Sequence, residues 1–179
     1  NIKLYPPFQI IPKLCFEFPL FILFFLVFTS FSNAAVFQLT KDTTIERNPA
    51  WSPDMNKIAY NYAIPNQTYK IHVRNADGSG KVALAGSSAF DQDPSWSPDG
   101  TKIAFSSNAE TSYGNWHLWL MNADGSGARR IVGSAGDRNN YQYPNFGPDG
   151  KQVVYTQVSG SVTDIYIIDI NSGVIRQLT

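Results

Sequence analysis

Pro94-Ser95-Trp96-Ser97-Pro98-Asp99-Gly100-Thr101-Lys102-Ile103-Ala104-Phe105 decides the fold, because the chain writes the same phrase on either side of it. Upstream stands Trp51-Ser52-Pro53-Asp54 and downstream Phe146-Gly147-Pro148-Asp149-Gly150, at steps of 45 and 50 residues. In the middle copy, Pro98 suits the second position of a type I turn and Gly100 the fourth. Lys102 to Phe105 then reads as a strand, and His117 to Met121 as the next. Asp124-Gly125 follows as a hairpin signal, since both residues tolerate positive φ. Ala128 to Val132 reads as a fourth strand, whose charges suit an exposed edge.

The same plan fits Ile58-Ala59-Tyr60, Lys70 to Val73 and Lys81 to Leu84 in the first copy. It fits Val153-Val154-Tyr155, Asp164 to Ile168 and Val174 to Leu178 in the third. Val36-Phe37-Gln38-Leu39-Thr40 ends as Gln177-Leu178-Thr179 does, so Leu39, Leu84, Val132 and Leu178 share one phase, that of the outer strand. A repeat of this length, built from short strands and tight turns, is the mark of propeller blades, which seal their faces only against neighbours. The expected fold is therefore all-β: a β-propeller fragment of three four-stranded blades, at about 41–84, 85–132 and 133–179, with no helix. Rings close with about four to eight blades. Three blades imply a piece of a longer chain or the pairing of three-blade units. The missing Met and the stop at Thr179, where an inner strand should follow, favour a piece.

Upstream, Phe18 to Phe28 is eleven uncharged residues, preceded by Lys3 and Lys13 and followed by small residues through Ala35. A basic start, a short apolar core and a small-residue exit read as a signal peptide over residues 1–34, leaving 35–179 exported. The run is shorter than the ~20 apolar residues of a spanning helix, so no stable membrane span is expected after cleavage. Cys15 precedes the apolar core, so the exported part has no thiol, disulfide or lipid attachment site. Residues 35–179 carry twelve Lys/Arg against thirteen Asp/Glu, interspersed, with no basic face for nucleic acid.

The pattern Pro-x-Trp-Ser-Pro-Asp-Gly-x-x-Ile-Ala-Phe followed by Asn-Ala-Asp-Gly closely resembles the WD-like propeller repeats of the TolB family. Pro94, Trp96 to Gly100 and Ile103 to Phe105 carry it, with Pro49, Trp51 to Asp54 and Ile58 to Tyr60. Met55 replaces the turn glycine of the first copy and Gly147 the serine of the third. The resemblance covers about residues 36–179. TolB proteins carry an α/β domain before the propeller, for which the residues ahead of the first repeat leave no room. The resemblance implies a non-catalytic, periplasmic or extracellular binder of a protein or peptide, with a cell-envelope lipoprotein as one such partner. The motif is shared with the gating propellers of prolyl oligopeptidase-type peptidases, the alternative reading, in which the catalytic domain lies elsewhere.

Catalytic patterns are absent from the sequence. Gly133-Ser134-Ala135-Gly136 is not Gly-x-Ser-x-Gly. His72 and His117 fall in different blades, where a lyase-type propeller would want a histidine cluster. The Asn-Ala-Asp-Gly turns lack the first ligand and the bidentate Glu of a calcium loop. Gly78-Ser79-Gly80-Lys81 lacks the upstream glycine of a phosphate loop. Asn66-Gln67-Thr68 is a glycosylation sequon. No catalytic residue, metal or cofactor is therefore expected.

Both short turns of a blade fall on one face of the disc. The longer connections, at residues 61–68, 106–116 and 156–163 with 85–92 and 133–142, fall on the other, which is the expected binding surface. Its mouth is lined by Glu46-Arg47-Asn48, Asp91-Gln92-Asp93 and Tyr141-Gln142-Tyr143. These triplets vary in charge ahead of an unvarying proline. Glu46, Arg47, Asp91, Asp93 and Tyr143 are the expected partner-binding residues, and Tyr113 and Trp116 add aromatic area of the kind found at interfaces.

Overall fold

A computed structural model describes residues 38–40, 44–63, 68–84 and 89–179. The expected signal peptide and Cys15 lie outside these residues, as do Asn66 and Gln67 of the sequon. Among the described residues no helix is long and apolar enough to cross a membrane.

Each repeat folds into one antiparallel sheet of four strands in sequence order. The first holds β1 (Glu46–Trp51), β2 (Lys57–Ala63), β3 (Tyr69–Asn75) and β4 (Val82–Ala83). The second holds β5 (Asp91–Trp96), β6 (Lys102–Ser107), β7 (His117–Asn122) and β8 (Arg129–Val132). The third holds β9 (Asn140–Phe146), β10 (Gln152–Ser159), β11 (Val162–Asp169) and β12 (Ile175–Gln177). The architecture is all-β, with three four-stranded sheets that fit propeller blades.

The turn residues explain why the phrase recurs. Ser52 Oγ donates to Asp54 at 2.6 Å and accepts the Lys57 amide at 2.9 Å, closing the first hairpin. Asp99 Oδ1 accepts the Thr101 amide at 3.0 Å and Asp149 Oδ1 that of Lys151 at 2.9 Å. Gly100 and Gly150 take φ of +70° and +68°, and Met55, in the copy that lost its glycine, is held at +58°. In the second turn, Asp77 Oδ1 accepts the Ser79 amide at 2.8 Å and Asp124 Oδ1 that of Ser126 at 2.9 Å. These carboxylates are spent on their own backbone. The two turns of a blade lie side by side, since the Ala76 amide donates to Asn56 and that of Ala123 to Thr101.

Alternation along the strands sends one row of apolar residues to each neighbouring blade. Ala59, Ile71 and Val73 meet Ile103, Phe105 and Met121 between the first two blades. Ala104, Leu118 and Leu120 meet Val153, Tyr155 and Ile168 between the second and third. Trp96 and Phe146 pack against these clusters. Trp51 does not; it is 57% exposed, on a flank that no described blade covers.

Two expectations about length need correction. Residues 156–163 are not a long loop: β10 and β11 pair through Ser159↔Val162 across a tight Gly160 turn, with Gly160 at φ +60°. Val158 and Thr163 face each other there, and β-branched residues favour the extended ladder. The inner strands also begin earlier than the Pro-x-Trp phrase, taking in Asp91, Gln92 and Asp93.

Candidate functional site at the mouth of the inner strands

Arg47-Asn48-Pro49, Gln92-Asp93-Pro94 and Gln142-Tyr143-Pro144 occupy one position in the three inner strands. In β1, Asn48 and Pro49 together fall between the pairs Arg47↔Asn61 and Ala50↔Ala59, so two residues oppose one. The same irregularity falls between Gln92 and Ser95, and again opposite Val154 and Thr156. Proline forces it: without an N–H it cannot continue a ladder and is confined to edges and bulges.

The residue ahead of each proline turns left-handed, with φ of +51° at Asn48, +55° at Asp93 and +56° at Tyr143. Positive φ is disfavoured before proline and foreign to tyrosine. Such backbone persists where its surroundings over-determine it, and it re-aims side chains beside functional sites.

The bulges bring the three blades together. The Asn48 side-chain amide donates to Asp93 Oδ1. The Asp93 backbone N–H donates to Asn61 Oδ1 at 3.0 Å. Two neighbouring hollows open here, of about 290 and 260 Å³. Arg47, Asn61, Tyr69 and Gln92 line the first; Pro49, Pro94, Pro144 and Asn145 line the second; Asn48, Asp93 and Tyr143 line both. Asp93 is only 8% exposed, and its Oδ2 is buried without a direct hydrogen-bond partner. Burial pushes its carboxyl up from the ordinary value, while Asn48 and, from further off, Ser106 and the Tyr143 amide favour its charge. The mouth can accept and donate hydrogen bonds and offers an aromatic ring and one arginine. Among the described residues that line the two hollows there is no serine, threonine, cysteine, lysine or histidine.

Among the expected site residues, Arg47, Asp93 and Tyr143 therefore come together. Glu46 does not join them; its Oε1 lies 3.4 Å from Arg74 Nη2, on the outward flank of the first blade. Asp91 lies beneath the surface, accepting from Ser107 Oγ at 2.6 Å and from Lys70 Nζ at 3.3 Å. Burial raises its pKa, because desolvation outweighs those two partners. Tyr113 is exposed on the loop after β6, with the Arg138 guanidinium 4.6 Å above its ring. Trp116, on the same loop, donates its backbone N–H to Asn140 Oδ1 at 3.0 Å, and its carbonyl accepts the Tyr141 amide at 2.8 Å. These loops share a face with the mouth, since the Ala63 amide bonds Ile45 and the Asn108 amide bonds Phe90. Asn61 was expected in the connection 61–68 of the binding face, but it lies on β2, which runs on to Ala63; Tyr69, at the start of β3, was not foreseen. The thrice-written x-Pro was the one sequence signal for the bulge.

His72 and His117 lie on β3 and β7, in separate blades. Among the described residues no three His, Cys, Asp or Glu side chains are grouped to hold a metal.

The family described as TolB beta propeller domain matches residues 62–179. The structure is similar to that of a putative TolB from Agrobacterium tumefaciens, with a TM-score of 0.66 and 25% identity, over 79% of this chain and 51% of that one. It is also similar to TolB from Acinetobacter baumannii, at 0.65 and 24%, over 79% of this chain and 34% of that one. This chain thus spans about half and a third of those two proteins. A puromycin hydrolase S511A mutant complexed with PGG shares the fold at a TM-score of 0.62 and 16% identity, over 83% of this chain and 24% of that one. No curated protein matches the chain.

Proposed function

The chain belongs to the TolB beta propeller domain family, and on that premise we propose that it is a non-catalytic, exported propeller that binds a protein or peptide partner at the mouth of its inner strands. In this reading residues 1–34 direct export to the periplasm or beyond, and the blades run over about 41–84, 85–132 and 133–179. The observation that carries it is the triple bulge. Three strained pre-proline residues, Asn48, Asp93 and Tyr143, are held at one place where Arg47 and two hollows converge. Strain of this kind, costing about 1–3 kcal/mol per residue, is kept where it positions something. The partner is a protein segment with hydrogen-bonding groups to meet Arg47, Asp93 and Tyr143. A cell-envelope lipoprotein of the peptidoglycan-associated type is the first candidate. Tyr113 and Trp116 extend the contact outward along the loop-rich face.

Titration with a lipid-free peptidoglycan-associated lipoprotein tests this. Arg47→Ala and Tyr143→Ser change exposed side chains, so each should weaken binding about tenfold, or ~1.4 kcal/mol, with an unchanged melting temperature. Asp93 is the wrong residue for that experiment, because it also ties β1 and β2 to β5. Undiminished affinity in both variants would move the binding surface elsewhere. The fold shared with puromycin hydrolase favours a second reading, a gating propeller. A Gly-x-Ser-x-Gly domain in the same polypeptide would decide for it.

A further inference from the structure

The second blade sends two connections onto the loop-rich face, residues 108–116 and 133–139, and hydrogen bonds stitch them into one unit. The Ser112 amide donates to the Ala135 carbonyl at 3.2 Å, and the Asn115 side-chain amide to the Arg138 carbonyl at 2.8 Å. Trp116 ties the same unit to β9 of the third blade through Asn140 and Tyr141. On this frame Arg138 lies over Tyr113, its guanidinium carbon 4.6 Å from the ring centre and its Nη2 3.5 Å from the phenol oxygen. Both residues are exposed. A guanidinium stacked in this way has one face covered, while its N–H donors radiate in plane toward solvent. Its fixed posture also means that less freedom is lost when a partner group binds.

The charge of Arg138 is uncommitted. Among the described residues no carboxylate pairs with it. Asp137 stands next in sequence, but its Oδ1 accepts the Asn139 amide at 2.9 Å and its Oδ2 the Tyr141 hydroxyl at 2.5 Å. Glu110 leans instead toward Arg130, at 3.7 Å. Arg47, exposed at the mouth on the same face, likewise has no carboxylate partner among the described residues. Glu46 and Asp91, on the same strand ends, are engaged with Arg74 and Lys70. Two guanidinium groups are thus held out to solvent where these carboxylates are already occupied.

We propose that Arg138, stacked on Tyr113, seats a carboxylate of the partner, and that the partner reaches this face with an acidic segment. The inference deepens the reading of the loop-rich face as a docking surface and rests on it. A carboxylate meets the planar fork of a guanidinium with two parallel hydrogen bonds, a fit that an ammonium does not offer. The second free arginine, Arg47, favours a run of acidic residues over a single one. An anionic lipid surface fits less well, because it is gripped by clusters of cations. Residues 108–116 and 133–139 hold one arginine and no lysine.

Isotope-labelled full chain in a non-ionic detergent, titrated with amidated hexaglutamate at low salt and followed by NMR, tests the seat. The Arg138 Nε–H signal should shift saturably, whereas amidated hexaglutamine should leave it in place. Arg138→Gln should weaken hexaglutamate affinity about fivefold, read on the Tyr113 and Asn115 signals, with an unchanged melting temperature. Arg138→Lys should lose nearly as much, since it keeps the charge and loses the fork. Equal binding of the two peptides, undiminished affinity in Arg138→Gln or full affinity in Arg138→Lys would each overturn the proposal. Unamidated hexaglutamine binding as tightly as amidated hexaglutamate would overturn it too, in favour of a chain terminus. Capture by phosphatidylglycerol vesicles that depends on Arg138, with no response to hexaglutamate, would do so in favour of lipid. The lipoprotein titration with Arg47→Ala and Tyr143→Ser judges the mouth independently, so seat and mouth can fail separately.

Discussion

At the scale of single residues, His117 shows how burial becomes a measurable property. It is fully buried on β7, and neither ring nitrogen has a hydrogen-bond partner. Gly133 leaves the ring its room, since a Cβ there would stand 2.6 Å from it, and Tyr141 packs at 5.8 Å between centroids. Burial lowers the imidazole pKa below 6.5; Arg130 pushes the same way and Asp137 opposes. The folded state therefore holds the neutral ring while the unfolded chain takes a proton. Stability is complete above about pH 6.5 and falls as the pH drops toward the folded value. Burial pushes Asp91 and Asp93 up, which acts in the opposite sense and returns stability in acid. His72 is shifted down as His117 is, so it leaves a residual slope. Melting temperature should thus decline between about pH 7 and pH 5, and His117→Phe should flatten the decline. An equal slope in the variant would mean that His117 is protonated in the fold.

At the scale of elements, the flank residues decide what each strand is worth. Trp96 and Trp51 stand at the same place in the phrase, but Trp96 packs in the junction between two blades and Trp51 on an uncovered flank. Trp96→Ala should cost about 3 kcal/mol, the lower end for a large aromatic because it is partly buried. Trp51→Ala, at a residue 57% exposed, should stay within about 0.5 kcal/mol. Urea midpoints compared at equal slope would show the difference, and equal costs would reject the assignment of flanks. The sequence made the strands readable because turn and strand agree: Pro98, Asp99 and Gly100 fix a hairpin before Ile103 and Phe105 demand a core. It was less informative about where strands stop. Val162 and Thr163 looked like loop because they follow Gly160, whereas pairing with Val158 and Ser159 holds them in the ladder. Met55, by contrast, did not hide its turn: Ser52-Pro53-Asp54 kept it readable, and the backbone makes it without glycine, at φ +58°.

At the scale of the whole molecule, the mouth and the junctions are the same structure seen from two sides. The varying triplets ahead of a constant proline pointed to Arg47, Asp93 and Tyr143. They could not separate these from Asp91, because residues two apart share a face in a regular strand, and only the bulge at Asp93-Pro94 and the packing around it set Asp93 apart from Asp91. Asp91 is spent on holding blades together: with Lys70 it makes an ion pair at 3.3 Å, with side chains only 7% and 2% exposed. Lys70 lies on β3 and Asp91 on β5, so the pair spans the junction beneath the mouth, with Ser107 holding the second carboxylate oxygen. Breaking such a pair costs more than the pair contributes, since a buried charge is left behind. Lys70→Met should therefore destabilise by about 3–5 kcal/mol, and Lys70→Met with Asp91→Leu by less than Lys70→Met alone. Because each blade is sealed only by its neighbours, the single variant should also loosen the first blade from the other two. One sharp melting transition would become two, with amide exchange rising first over β1 to β3. A single transition in the variant, at a cost below about 1 kcal/mol, would show that apolar packing alone joins the blades.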